Sequence, residues 1–454
     1  MTARRPSALT ASQAVRAMRA GELTPTALLE DCIARVDELE ASVSAWARFE
    51  PEAARRDAAR LDEELAAGTH TGRLPGIPVG VKDVFNTADL GTEMGSQIWR
   101  GFTPGNDARV VVHLRWQGAV VPGKTVTAEF AVHHPGPTRN PYSSDHSPGT
   151  SSSGSAAAVA SRMVPLALGT QTAGSTIRPS SYCGIYGFKP SFGVIPRTGI
   201  LKTLDTLDHV SLMSRSIEDL RLMFDCCRVE GPNHPHVHNH IDGWAPERLS
   251  MPLRVALVRG PVWDRAQPYA QKELLDLAHQ WAADPDVQLD EVTLPEEFME
   301  CHDLHELIYS KALSYYFSRE YTEHPELVSD QFREMVERGR QVSAGAYQDG
   351  LARQRRLGHA LDQVFDRHDV ILNLSTSGVA PEGLDGRDGK DCCLIWTLCH
   401  APAMSLPVFA GPGGLPFGAQ LVARRYGDPA LLWIAETLQA KGLVCEWTPP
   451  APSE

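Results

Sequence analysis

The chain has 454 residues, 42% of them hydrophobic and 22% charged, which is enough apolar material for a large core. Its formal net charge of −13 argues against a nucleic-acid partner, because such recognition runs on Lys and Arg neutralising phosphates. The N-terminus carries arginines with no apolar run behind them, and no apolar window of about 18 residues follows, so a cytoplasmic chain with no membrane partner is expected.

From residue 9 to about 70 the spacing predicts helices. Leu29, Cys32, Ile33, Val36 and Leu39 recur at helical intervals after the Thr24-Pro25 start signal, and Glu52 to Ala67 is a second, charged and alanine-rich stretch. Short apolar strands then alternate with helices: IPVGV, a helix capped by Asp107 and running to Gln117, the AVV strand, a Gly/Ser loop, the helix SAAAVASRM, and PLALG. This alternation predicts the α/β class. Residues 216–360 read as mainly helical, and strands return at 369–375, 403–409 and 416–423 before a closing helix capped by Asp428. The expected organisation is therefore a helical arm (1–70), a core carrying the serine loops (71–215), a helical substrate-shaping insertion (216–360) and the rest of the core sheet (361–454), all within one domain. No internal repeat is visible.

Several motifs have bland readings. Gly118–Thr125 spells the Walker A string by letters, but strand-like Ala119, Val120 and Val121 fill its middle, so Lys124 is expected to be structural; a nucleotide-binding protein remains an alternative from another class. The tract His234, His236, His238, His240 has the composition of a metal-binding loop and reads as a solvated one. Nine cysteines, with adjacent pairs Cys226/Cys227 and Cys392/Cys393, lack disulfide-framework and zinc spacing, so reduced, mostly buried thiols are expected, with no metal and no cofactor. Tyr309, Tyr315, Tyr316 and Phe317 follow helical spacing and read as core, with one or two free to line a pocket; Trp396, His133 and His134 are further pocket candidates.

The densest unusual segment is Ser147 to Pro190, where Gly, Ser and Thr cluster in two loops separated by a small-residue helix and a strand. Such loops let backbone approach a ligand, and their N–H groups can form the nest that a tetrahedral oxyanion needs. A hydroxyl nucleophile must be activated by a base, yet no G-x-S-x-G elbow is present and no His accompanies these serines. A lysine kept neutral by burial is the alternative base. Lys82 in GIPVGVKDVF is the candidate, because all but eight of the chain's 43 basic residues are Arg, which cannot act as a base.

The strings GVKD (80–83), PGTSSSGSAAAVA (148–160) and GTQTAGSTIRP (169–179), with ordered supporting pieces from about residue 10 to 440, resemble the amidase signature family. The resemblance implies a single compact α/β domain with a central mixed, mostly parallel sheet wrapped by helices. It implies Ser175 as nucleophile, Ser151 as a relay serine behind a cis peptide bond from Thr150, and Lys82 as general base. Backbone N–H groups of Thr172, Ala173, Gly174 and Ser175 form the implied oxyanion hole, and Arg178, Gln171 and Thr150 are the implied substrate contacts. Ser152 and Ser153 read as structural or as part of the network around Lys82, and Asp83 as a loop-holding carboxylate.

The commoner family string is Asp-Thr-Gly-Gly-Ser-Ile-Arg, whereas Gln171–Arg178 has the arginine one place later. This variant resembles malonamidase-like members, where the corresponding arginine grips a substrate carboxylate, and urethane-cleaving members. The implied reaction is hydrolysis of a small amide or carbamate through an acyl-enzyme, by a monomer or homodimer. The alternative within the family is the glutaminase subunit of a tRNA-dependent amidotransferase.

Overall fold

Thr10 opens helix α1 (Ala11–Arg19) with a capping box, its hydroxyl accepting the Gln13 N–H while the Gln13 side chain accepts the Thr10 N–H. Thr24 caps α2 (Pro25–Val43), which buries Leu28, Leu29, Cys32, Ile33 and Val36 along one stripe. Between α2 and α3 (Glu52–Ala66) lies a strand that the helical reading of the arm missed, β1 (Trp46–Phe49). The computed structural model describes residues 5–234, 237–384, 391–445 and 447.

The remaining strands are β2 (Val79–Lys82), β3 (Gly123–Thr125), β4 (Leu166–Gln171), β5 (Tyr186–Lys189), β6 (His209–Ser214), β7 (Leu253–Leu257), β8 (Val287–Glu291), β9 (Val370–Leu374), β10 (Ala403–Ala410) and β11 (Pro416–Val422). They form one mixed 11-stranded sheet in the order β1-β3-β2-β4-β6-β5-β10-β11-β9-β7-β8. The sheet is not mostly parallel as expected. The runs β3-β2-β4 and β9-β7-β8 are parallel, while the block from β4 through β6, β5, β10 and β11 to β9 is antiparallel throughout, as is β1 against β3. A connection as short as that between β10 and β11 can only fold back antiparallel, whereas parallel neighbours need a long crossover.

Helices cover both faces: α4 (Arg109–Trp116), α5 (Ser153–Ala160), α6 (Ile177–Tyr182), α7 (Ile217–Cys227), α8 (Pro268–Ala282), α9 (Cys301–Tyr316), α10 (Ser318–Glu323), α11 (Asp330–Gln341), α12 (Ala344–Phe365), α13 (Leu394–Leu398) and α14 (Asp428–Ala440). Every residue of β2, β4, β6, β9 and β11 is buried, so the polar residues these strands carry, among them Ser211, Asn373 and Gln420, are enclosed together with the apolar ones. Residues 216–360 supply two strands, β7 and β8, besides their helices. No helix among the described residues is long and apolar enough to cross a membrane.

Three local expectations change. Asp107 does not cap α4, whose N-cap is Ala108; its carboxylate accepts the Ala88 N–H at 2.8 Å. The AVV segment makes only a bridge from Val120 to Pro78, and pairing into the sheet starts at Gly123. Asp428 begins α14 without capping it and accepts the N–H and hydroxyl of Ser191 at 2.8 and 2.6 Å. The nucleotide alternative fails on geometry: Lys124 is fully buried, with Nζ donating to Asp83 Oδ1 (3.1 Å), the carbonyls of Phe85 (2.8 Å) and Gly91 (3.0 Å) and Thr92 Oγ1 (2.8 Å). Nothing of it is left to reach a phosphate. Asp83 also accepts the N–H groups of Glu93 and Met94 at 3.1 Å, so it holds this loop.

Candidate active site

Parallel β2 and β4, with Val81 opposite Leu168, bring Lys82 and Thr170 to the same edge of the sheet. Small residues Ala156, Ala157 and Ala158 of α5 are wholly buried and let the serine loop at its start come down on that edge. Lys82 Nζ lies 2.6 Å from Ser151 Oγ, 2.7 Å from Thr170 Oγ1 and 3.0 Å from Ser152 Oγ, all buried. Burial pushes the lysine well below its usual range, with the charge of Asp208 opposing the shift. The Thr150–Ser151 peptide bond is cis.

Counting hydrogens orients this cluster. Ser152 Oγ donates to the Thr170 carbonyl at 3.2 Å and accepts its N–H at 3.3 Å, so toward Lys82 it acts as acceptor. A neutral amine has two N–H donors and one lone pair, and one of three surrounding hydroxyls must donate to that lone pair. Among the described residues Ser151 Oγ and Thr170 Oγ1 each have Lys82 as their one partner, so both fit the donor's part, and Ser152 does not.

Beyond β4 the chain turns through Thr172–Thr176 into α6. Gln171 was expected to touch substrate, and the structure corrects this. The residue is fully buried, its Oε1 accepting the N–H groups of Thr176 (2.9 Å) and Ile177 (3.0 Å) and its Nε2 donating to Thr397 Oγ1 (3.1 Å). It shapes the turn from beneath. Among the described residues the N–H groups of Ala173, Gly174 and Ser175 make no hydrogen bond within the chain. Thr172 is gripped from two sides: its hydroxyl donates to Asp208 Oδ1 at 2.7 Å, and its carbonyl accepts from His305 Nε2 at 2.9 Å. Ser175 is 8% exposed; its hydroxyl makes no hydrogen bond among the described residues, so contact with Ser151 is not formed in this arrangement.

Arg178 reaches back over the same turn. Its Nη1 donates to Asp391 Oδ2 at 2.9 Å and its Nη2 to the Thr150 carbonyl at 3.4 Å. That contact is how Thr150 joins the site; it does not itself line the cavity. Asp391 Oδ1 accepts the N–H groups of Cys393 and Leu394, at 3.0 and 2.7 Å, where α13 begins. A Cβ on Gly174 would come within 2.5 Å of Asp391 Oδ2, so only glycine fits beneath that carboxylate. Gly149, at φ +87 with Pro179 Cα 2.7 Å from where its Cβ would stand, is required for the serine loop to pass α6.

A cavity of about 280 Å³ opens over Ser175. Thr172, Ala173, Ser175 and Arg178 line its base, Ala131, Val132 and His133 one side, and His302, His305 and Tyr309 of α9 with Met335 and Arg338 of α11 the other. His134 faces a neighbouring cleft instead. Burial pushes His305 down to about 4, so its imidazole is neutral. His302, His305 and Tyr309 stand at i, i+3 and i+7, one helix face, and that spacing was the available signal that α9 points polar groups inward. Trp396 is wholly buried and does not line the cavity, Phe317 is core, and Tyr315 is 75% exposed rather than packed.

All nine cysteines are free, eight of them buried. Among the described residues no cluster suited to a metal ion occurs. Of the His tract, residues 235 and 236 lie outside the described residues; His238–Asp242 form a turn of π-helix.

The chain is similar to known proteins over nearly its whole length. A glutamyl-tRNA(Gln) amidotransferase subunit of Chloroflexus aggregans is 29% identical over 489 aligned residues, spanning 97% of each chain. The native peptide amidase from Stenotrophomonas maltophilia superposes with a TM-score of 0.83 at 25% identity, covering 98% of this chain and 99% of its own. The 6-aminohexanoate cyclic dimer hydrolase, solved with substrate, gives a TM-score of 0.81 at 25% identity over 96% and 97%. The family model for amidases matches residues 27–432, and this chain belongs to the amidase family of C–N bond hydrolases.

Proposed function

We propose that this enzyme hydrolyses small uncharged amides, and carbamates of similar shape, with Ser175 as nucleophile, Ser151 as proton relay and Lys82 as general base. The observation that carries the reading is the 2.6 Å contact between Lys82 Nζ and Ser151 Oγ inside a buried cluster that favours the neutral amine. Ser151 passes its proton to Lys82 and takes the proton of Ser175 as that oxygen attacks the carbonyl carbon. Rotation about χ1 of Ser175 makes the missing contact; catalytic hydrogen bonds are often open without substrate. The developing oxyanion is met by the open N–H groups of Ala173, Gly174 and Ser175. The tetrahedral adduct collapses as the proton held on Lys82 returns through Ser151 to the departing amine, and water repeats the sequence to free the acid.

Peptide mass spectrometry after treatment with a fluorophosphonate tests this without knowledge of the substrate. A single adduct on Ser175, suppressed in Lys82→Ala, is expected; an adduct on Ser151 overturns these roles. The amidotransferase relatives favour a second reading as a glutaminase subunit. The Gln171-Thr172-Ala173-Gly174 form of the nucleophile turn speaks for the independent amidase, and glutamine-dependent ammonia release only in the presence of partner subunits would reverse that choice.

A further inference from the structure

An arginine beside an acyl-transfer nucleophile is a natural clasp for a substrate carboxylate, since its planar fork matches that group. In this chain the clasp is already closed. Asp391 Oδ2 sits 2.9 Å from Arg178 Nη1, both side chains are more than nine-tenths buried, and the carboxylate lies directly over Gly174 in the nucleophile turn. Asp391 is itself fixed by the N–H groups of Cys393 and Leu394, so it is not free to swing aside for an incoming anion. Among the described residues the other charges lining the cavity do not offer an alternative: Arg338 pairs with Glu306 at 3.1 Å, and three carboxylates, Asp303, Glu306 and Asp391, stand against two guanidiniums. Neutral His305 adds no positive charge.

We infer that Asp391 is a specificity-determining residue: by occupying Arg178 it directs the site to uncharged acyl groups and excludes those bearing a carboxylate of their own. The inference rests on the amide-hydrolase reading. A substrate carboxylate entering near Ser175 meets a fixed like charge and, among the described residues, no available partner, whereas a carboxamide of the same shape meets neither penalty. Replacing Asp391 by an uncharged residue removes the fixed anion from Arg178 Nη1, and a substrate carboxylate then takes that place.

The test compares 4-nitroaniline release from two isosteric anilides, those of glutaric acid (terminal carboxylate) and of glutaramide (terminal carboxamide). For the wild-type enzyme kcat/KM is expected to favour the carboxamide at least tenfold. In Asp391→Asn the ratio is expected to move at least tenfold toward the carboxylate, mainly through a lower KM for that substrate. Asp391→Ser, which keeps an oxygen for the N–H groups of α13, repeats the measurement if the first variant folds poorly, and the wild-type ratio stands without either. Equal wild-type turnover of the two anilides overturns the inference alone. Release from neither, together with no fluorophosphonate adduct on Ser175, overturns the amide-hydrolase reading beneath it.

Discussion

Lys82 is set apart by what surrounds its amine rather than by its place at a strand end. Among the described residues three hydroxyls and no carboxylate lie within hydrogen-bond reach of Nζ, so only the more distant charge of Asp208 opposes desolvation, which dominates. Lys124, equally buried, has Asp83 at 3.1 Å and serves as a strut. Because the proposed mechanism uses the neutral amine, kcat/KM is expected to fall as pH drops, with unit slope and a midpoint well below the usual lysine value, read from a pH–rate profile on any turned-over amide. Lys82→Arg supplies a permanent cation and no lone pair, so a loss of about 10²- to 10⁴-fold in kcat is expected, the usual worth of a general base. A profile that stays flat into acid while Lys82→Arg retains activity would remove the base from this position.

The elements walling the cavity are tied to one another at a few points. Glu129, buried beside the cavity-lining segment 131–133, accepts the Ser329 N–H at 3.2 Å through either oxygen and the Ser329 hydroxyl, while Ser329 Oγ accepts the Phe332 N–H at 3.2 Å as the cap of α11. Phe130, in the left-handed region at φ 48, packs its ring 4.7 Å from Phe317 and 5.1 Å from Phe332, so that segment and α11 share one aromatic cluster. Ser329→Ala removes the cap and one partner of a buried carboxylate, a destabilisation of roughly 1–2 kcal/mol. Since Met335 and Arg338 of α11 line the cavity, faster amide exchange across 330–341 and a raised KM with kcat little changed are expected. Unchanged exchange there would show that the aromatic cluster holds α11 without the cap.

At the scale of the molecule, the sheet delivers the reacting groups to one crevice, at the carboxyl ends of parallel β2 and β4, where open α/β sheets commonly bind ligands. The same sheet buries another lysine. Lys189 at the end of β5 is fully buried, donates to the Ala401 carbonyl, and is pushed down to about 7 by burial, with Asp428 opposing. Its folded value lies below its unfolded one, so between pH 7 and about 10.5 the unfolded chain binds the extra proton and this residue's contribution to stability rises with pH. Below about 7 both states are protonated and the contribution is constant. Lys189→Met is therefore expected to shift the urea midpoint by an amount that changes in favour of wild type from pH 7 to 10; a shift constant across that window would mean that the native lysine stays charged.

How far each part was legible from the sequence follows from the range of the interactions that make it. Lys82 and the serines at 151 and 175 stand in short stretches whose glycines and hydroxyls prescribe local backbone, so the strings themselves drew attention to them and the α/β alternation located Lys82 at a strand end and the serines in loops. Strand direction, β1 and the two strands within 216–360 were not legible, because pairing is chosen between segments that are distant in the chain and a four- or five-residue run carries little periodicity. Gln171 shows the same boundary within a single motif: the letters named the residue, but only packing turned its amide inward to Thr176, Ile177 and Thr397. Asp391 meets Arg178 across 213 residues and His305 meets Thr172 across 133. The sequence by itself determined the chemistry on offer, a lysine that loses its proton when buried and hydroxyls able to relay one. Tertiary structure alone decided which charge answers Arg178, because a buried ion needs a fixed partner and only the fold brings one within reach.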